Sequence, residues 1–541
     1  MGYPLIKYGD TTIDFNPRRF RKWELSTEES QYKNQAVSGE REYLSFFERY
    51  KISAEMLNLR GDIIQQLDAW WDYVKDGHSF SMTMDSDVGI YFTFEGLELS
   101  TDGDVLSVDR TGAANYVNSE GLILEAGEDE ARFPAGKFGK GLLIEKASTN
   151  LLVESEDLDE AEWVNSGMTV ETETGDVQDP EGGSTAAKLI ATNPVSTLYQ
   201  NTSTTIGTDG ACFSIWLKSA TKTTNNVTLR IQDDTLFLLA SENFTVGAEW
   251  VRCWVFYNNP GSNANNWSAL IKINSDTDVV YAFGAQLEAG DNVLYPTSYI
   301  QSVGSAGTRN AETISLLLPE SKMNVNAGLI SFWEYHDWRY NDYYAAGSVP
   351  FRYWLYLYHA ATTNVLFYIG RNADGALEAS FTDGKGTSHT CITSALLPQS
   401  QWNHIAVAWD SSPSGSTDPI GRIYLNAEYT GDNISGDAFT TLSNSAIGAG
   451  NAAMLYIGSN HTPAFHADAI IDDLIIFKSA LGGAGSTNDV VTNIFNSGRS
   501  IGLRRNYLSS VVLSNPEIKP VLKVGGNKYD LSIEAEEEIS L

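Results

Sequence analysis

Apolar and polar positions recur along this chain with two different periods. Residues 43–55 alternate roughly every second position, the period of a half-buried strand. Ile63, Ile64, Leu67, Trp70, Trp71 and Val74 instead recur at spacings of three and four, which predicts one apolar helix face. Asp62 suits the start of that helix, and Gly77 lies just beyond its end. Strands are expected again at 80–84 and 91–94. From residue 149 to 312 short apolar runs at 213–218, 227–231, 250–257 and 279–284 are separated by turn residues, and no long helical pattern fits. Two facing sheets, a jelly roll, bury such alternating faces without helices. In 313–500 Ala406, Ala408 and their apolar neighbours again alternate with period two, as a strand buried between two sheets does.

The pattern therefore predicts a mainly β, multidomain chain. An N-terminal β domain with one helix (1–104) is followed by a connector (105–148), a jelly-roll sandwich (149–312), a second sandwich (313–500) and a C-terminal extension (501–541). The joint between the attachment part and the displayed part lies at 141–163. There an apolar run (Leu142, Leu143, Ile144) passes an expected turn at Ala147, Ser148, Thr149 and Asn150 into Leu151, Leu152 and Val153. The extension ends in an acidic tail; whether it folds back on a domain or pairs with a neighbouring subunit is not fixed by its pattern.

Composition narrows the partners. The chain has 541 residues and a formal charge of −33, so the basic footprint that a nucleic-acid partner requires is missing. Three cysteines are too few and too scattered for a disulfide framework, and Cys212 and Cys253, inside strand-like runs, are expected to be buried thiols. The start has no apolar leader core, and no run reaches membrane-span length, so a soluble chain without membrane insertion is expected.

Several motifs carry a resemblance. The stretch 108–123 (VDRTGAANYVNSEGLI), then Ala131-Arg132-Phe133, then 141–152 resembles a preamble of tailed-bacteriophage structural proteins, where it introduces a carbohydrate-binding-like jelly roll. That module's closing signature is matched by 285–290 (AQLEAG), 295–300 (YPTSYI) and Thr308-Arg309-Asn310-Ala311. The segments 328–333, 402–410, 422–428, 455–459 and 470–477 are similar to a concanavalin A-like, laminin-G-type sandwich. Asn426-Ala427-Glu428 departs from that family, which usually has Gly or Asp in this turn. The first hundred residues faintly resemble the N-terminal domain of phage distal-tail proteins, which assemble into rings.

Catalytic signatures are scarce. The glucanase branch of the concanavalin-type fold presents its carboxylates as E-x-D-x-x-E on one strand, and this chain has no E-x-D. Glu334 and Asp337 come nearest, but their spacing sends them to opposite strand faces. H-E-x-x-H does not occur. Six of the seven histidines lie between His336 and His466 without metal-ligand spacing, and His404 reads as a structural strand histidine. No enzyme is expected.

A binding surface is expected instead. Trp338, Arg339, Tyr340, Asn341, Asp342, Tyr343 and Tyr344 combine aromatic rings with polar groups, the chemistry that holds sugars, or equally a subunit contact. Trp333, Trp354 and Tyr356 read as core or contact residues. The laminin-G resemblance implies calcium as a possible cofactor, with Asp468, Asp472 and Asp473 as the candidate ligands. The expectation is a phage virion protein of the distal tail or tail tip that displays glycan-binding modules for host-surface attachment. Its expected partners are copies of itself (a ring or trimer), other tail proteins and host cell-surface glycans. The rival readings are a capsid-decoration or tail-wall protein with purely structural lectin-like domains, and a polysaccharide-cleaving glycosidase.

Overall fold

The computed structural model describes residues 106–478, less 173–174, 176, 221–223, 259–260, 291–292, 294, 319–321, 325, 338–350, 360–363, 383–387, 411–419, 433–452 and 463, together with short pieces on either side of that span. The chain forms two compact units: residues 1–90 with 476–479 and 489–541, and residues 91–475 with 480–488.

In the first unit an antiparallel sheet runs in the order Thr11–Asp14, Leu5–Tyr8, Phe80–Thr83, Tyr507–Val512, Tyr529–Glu537, Arg41–Met56 and Phe20–Gln35. The strand expected at 43–55 lies inside Arg41–Met56. The C-terminal extension folds back within its own chain: Val511 pairs with Phe80, and Ile533 with Ala54, so its strands sit in the middle of the sheet. The helix expected at 62–74 lies outside the described residues.

The second unit holds both sandwiches. In the jelly roll one sheet runs Trp163–Ser166, Ser196–Gly207, Asn263–Ile273, Asn225–Asp233, Leu238–Val246. Its partner runs Met168–Glu171, Ala187–Ala191, Val279–Gly290, Gly210–Ser219, Val251–Tyr257. Alternate residues point inward from both sheets, and Leu198, Phe213, Ile215, Leu229, Trp267 and Ile271 are fully buried between them. All four runs read from the sequence fall on these strands. Cys212 and Cys253 are buried free thiols, and burial pushes Cys253 up to about 12.

The second sandwich begins earlier than the sequence suggests. One sheet runs Ser388–Leu396, Ala376–Thr382, Asn364–Arg371, Arg352–His359, Ala453–Ile457, Thr313–Leu318, Ser107–Asp109. Along the other, Leu142–Ile144 pairs with Ala469–Phe477, followed by Ala327–Tyr335, Trp402–Asp410, Ile420–Leu425 and Glu428–Asp432. The stretch read as a connector therefore supplies an edge strand to each sheet. The jelly roll is an insertion into this sandwich rather than a domain threaded before it. Trp402–Asp410 is buried on both faces: Trp409 packs on Phe381 in the interior, while on the other face His404 packs against Trp333, which Phe138, from the same connector, covers edge-on. That double cover explains its unbroken apolar run.

Candidate functional site

The insertion is fastened by a buried ionic cluster built from the resemblance motifs. Arg132 donates from Nε and Nη2 to the two carboxylate oxygens of Glu312, both at 2.7 Å, and from Nη1 to Glu145 at 2.6 Å. Arg110 pairs with the same Glu312, and Arg309 lies 3.2 Å from Glu145. Burial alone would raise the Glu145 pKa, but the guanidiniums of Arg309 and Arg132 and the hydrogen bonds from Ser298 hold it down to about 2. Beside the cluster the Asn150 amide donates to the carbonyls of Ala285 and Ile300, both at 2.9 Å, and its oxygen accepts from Leu287 N–H at 3.0 Å. The turn expected at 147–150 is thus replaced by a short strand, Ser148–Asn150, paired with Gly307–Arg309. Its polar side chains bind the jelly roll's closing segment, and the Asn150 oxygen also accepts from Leu152 N–H at 3.2 Å.

On the outer face of the sheet ending in Ser107–Asp109, cross-strand register aligns one row of hydroxyl side chains. Ser107 pairs with Ser315, Ser315 with Tyr456, Tyr456 with Tyr356, Tyr356 with Tyr368, Tyr368 with Ser380, and Ser380 with Thr390. Directly opposed residues share a face, so every strand of this sheet contributes one hydroxyl. At about 4.8 Å between strands the row spans roughly 29 Å. It is recessed: Tyr356 is 5% and Ser380 3% exposed, whereas Leu317 and Phe465 are 56% and 51% exposed. Aromatic rings flank it. Tyr358 stacks on His461 at 3.8 Å, and Tyr353 meets Tyr356 edge-on at 5.0 Å. Tyr368 donates to Glu378 at 2.5 Å. Burial, with Tyr353 and Tyr358 adding to it, pushes Tyr356 up to about 12. Its phenol therefore stays a hydrogen-bond donor across the neutral range.

The jelly roll carries a cleft of about 530 Å³ between its edge strands Leu238–Val246 and Val251–Tyr257. Trp254 and Phe256, with ring centroids 6.0 Å apart, line it together with Ser241 and Glu242.

The residues singled out from sequence fare differently. Trp338, Arg339, Tyr340, Asn341, Asp342, Tyr343 and Tyr344 lie outside the described residues. Trp333 and Trp354 are core residues, 4% and 0% exposed. Tyr356 is buried yet belongs to the hydroxyl row, which no single stretch of sequence displays. Glu334 is buried rather than facing a cleft; it accepts from Asn403 Nδ2 at 2.7 Å and lies 2.8 Å from His336 Nδ1. His404 sits 2.8 Å from Ser331 Oγ, and burial lowers its pKa to about 3, a structural setting.

The three aspartates do not converge on a ligand set. Asp468 is committed to Arg352 and the Tyr295 hydroxyl through one oxygen, and to Lys146 N–H at 2.7 Å through the other. Asp472 accepts from Phe138 N–H at 3.0 Å. Asp473 adopts a left-handed backbone, φ 54°. Among the described residues no group of three His, Cys, Asp or Glu side chains is arranged to hold a metal.

The chain carries a concanavalin A-like, laminin-G-type domain: the family described as the Concanavalin A-like lectin/glucanases superfamily matches residues 343–484. No curated protein matches the chain. Among solved structures, it is similar to the enzymatically active domain of tailspike protein 4 from bacteriophage CBA120, with 16% identity over 26% of this chain and 21% of that one, at a TM-score of 0.21. It is also similar to the N-terminal tandem CBM22 domain of a Paenibacillus barcinonensis protein (12% identity, 62% of this chain, 100% of that one, TM-score 0.21). A tail fiber protein from an E. coli phage gives 10% identity over 62% of this chain and 41% of that one, at a TM-score of 0.21. The chain thus spans less than half the length of either phage protein.

Proposed function

We propose that this is a bacteriophage virion protein of the distal tail or tail tip whose sandwiches grip glycans on the host surface without cleaving them. The observation that carries the reading is the hydroxyl row. Seven side chains from seven strands lie in one line between aromatic flanks, with Ser107 and Thr390 exposed, Tyr368 and Tyr456 half-buried and Ser315, Tyr356 and Ser380 buried as its floor, over a length suited to several sugar rings of a linear neutral chain. The phage assignment rests on the preamble and closing motifs. Homo-oligomers joined to other tail proteins would add avidity to weak single sites.

Titration calorimetry of the full chain against neutral linear polysaccharides tests the site. Tyr356→Ala and Tyr456→Ala should each weaken binding about tenfold, the equivalent of roughly 1.4 kcal/mol. Unchanged affinity in both variants, or no binding by the parent chain, would sink the reading. Release of reducing ends from those polysaccharides would instead identify a glycosidase. Electron microscopy of intact particles tests the position in the virion.

A further inference from the structure

The hairpin tip between Asn225–Asp233 and Leu238–Val246 exposes three consecutive apolar residues: Leu236 at 53%, Phe237 at 66% and Leu238 at 46%. A contiguous apolar tip of this kind marks a contact surface. It is also a built tip. The buried Asp233 carboxylate accepts from Thr235 N–H at 2.9 Å, Thr235 Oγ at 2.6 Å and Phe237 N–H at 3.0 Å through one oxygen. Its other oxygen accepts from Asn265 Nδ2 at 2.7 Å. Asp234 N–H is tied to the Asn266 carbonyl at 3.0 Å, and Leu236 holds a left-handed backbone, φ 68°.

The tip continues into the jelly-roll cleft. Leu238 is bonded to Leu239, which lines the cleft, so the Cα atoms of Phe237 and Leu239 lie at most about 8 Å apart. An aromatic cleft with a hydroxyl and a carboxylate suits a sugar ring, and the adjoining apolar tip suits hydrocarbon. We propose that cleft and tip form one amphiphilic site for a neutral glycolipid, with the headgroup in the cleft and the acyl chains against Phe237. The chain's charge of −33 and Glu242 in the cleft disfavour an anionic lipid. The contact is superficial, since three residues reach only the headgroup boundary. Among the described residues no helix is long and apolar enough to cross a membrane.

Flotation of the full chain with phosphatidylcholine vesicles, plain or doped with galactosyl diacylglycerol, tests the site. The parent chain should float only with doped vesicles. Phe237→Ser, at an exposed position that leaves the fold intact, should lose about tenfold or more in vesicle binding while still binding a free galactoside in the cleft. Trp254→Ala should lose both, and Val195→Ser, at an exposed position outside the cleft and the tip, should lose neither. Equal flotation with plain vesicles, or an unaltered Phe237→Ser, overturns the proposal. So does a Phe237→Ser that changes only self-association, which would make the tip a protein contact.

Discussion

Arg132 and Glu312 stand 180 residues apart in sequence, yet they meet through two parallel hydrogen bonds of 2.7 Å with both side chains fully buried. Between them in sequence lies the jelly roll. Arg132 comes from the stretch between the sandwich's first two edge strands, and Glu312 from the residue before its next strand, Thr313–Leu318. The pair thus closes the base of the inserted module onto its host sandwich.

Removing one partner of such a pair leaves the other charge buried without compensation. Arg132→Met should therefore lower unfolding stability by about 3–5 kcal/mol. Arg132→Lys keeps the charge but cannot fork across both Glu312 oxygens, so it should fall between the two. Urea unfolding followed by tryptophan fluorescence measures both; a Met variant as stable as the parent would show that the pair fastens nothing.

Acid should loosen the same junction. Glu145 titrates near 2 in the folded chain against 4.5 ordinarily, a difference worth about 3 kcal/mol. Because the folded value is depressed, this stability is present above about pH 4.5 and fades as pH falls toward 2. Glu145→Gln should remove that acid-side slope at the cost of lower stability at neutral pH. A slope unchanged by the substitution would assign the acid lability elsewhere.

Much of this architecture was legible in the chain. Period-two alternation located the jelly-roll strands because each has one face on the core, and the paired motifs marked the junction because their Arg, Glu and Asn side chains bond across it. The connector misled, since Ser107–Asp109 and Leu142–Ile144 are three-residue edge strands, too short to show a period. The hydroxyl row was invisible for another reason. Tyr356, Tyr368 and Tyr456 align only through strand register, and a shift by one residue would move each to the other face. Periodicity fixes which residues alternate, not which lie side by side across seven strands.

Asp472 should shape the neutral side of the stability curve. Burial, with Asp473 alongside, pushes its carboxyl up to about 7 despite the hydrogen bond from Phe138. The folded chain therefore holds this proton more tightly than the unfolded one. Its contribution is whole below about pH 4 and is lost as pH rises through 7, roughly 4 kcal/mol in all. Asp472→Asn keeps an acceptor for Phe138 N–H and should be the more stable form at pH 8. Calcium should leave the melting temperature of both chains unchanged, because the oxygens of Asp468 are already engaged by Arg352, Tyr295 and Lys146. A calcium-dependent rise that Asp472→Asn abolishes would restore the aspartates as ligands.

The turn where the second sandwich departs from the laminin-G-type pattern offers a gain in stability. Asn426 and Ala427 join Ile420–Leu425 to Glu428–Asp432, and both adopt left-handed backbone, φ 52° and 65°. Two-residue hairpins of this hand favour Asn followed by Gly. Asn426 fits: its N–H donates to the His404 carbonyl at 2.8 Å, and its side-chain oxygen accepts from His404 N–H at 2.9 Å. Ala427 carries a Cβ in a region that only glycine enters without cost, so the strain is about 1–2 kcal/mol. Ala427→Gly relieves it but frees the unfolded chain by somewhat less, so a net gain of about 1 kcal/mol is expected. Asn426→Ala should lose a similar amount or more, because two backbone bonds to His404 depend on that residue's geometry. Thermal unfolding of the two variants beside the parent decides the matter: a less stable Ala427→Gly would mean that the turn is not left-handed.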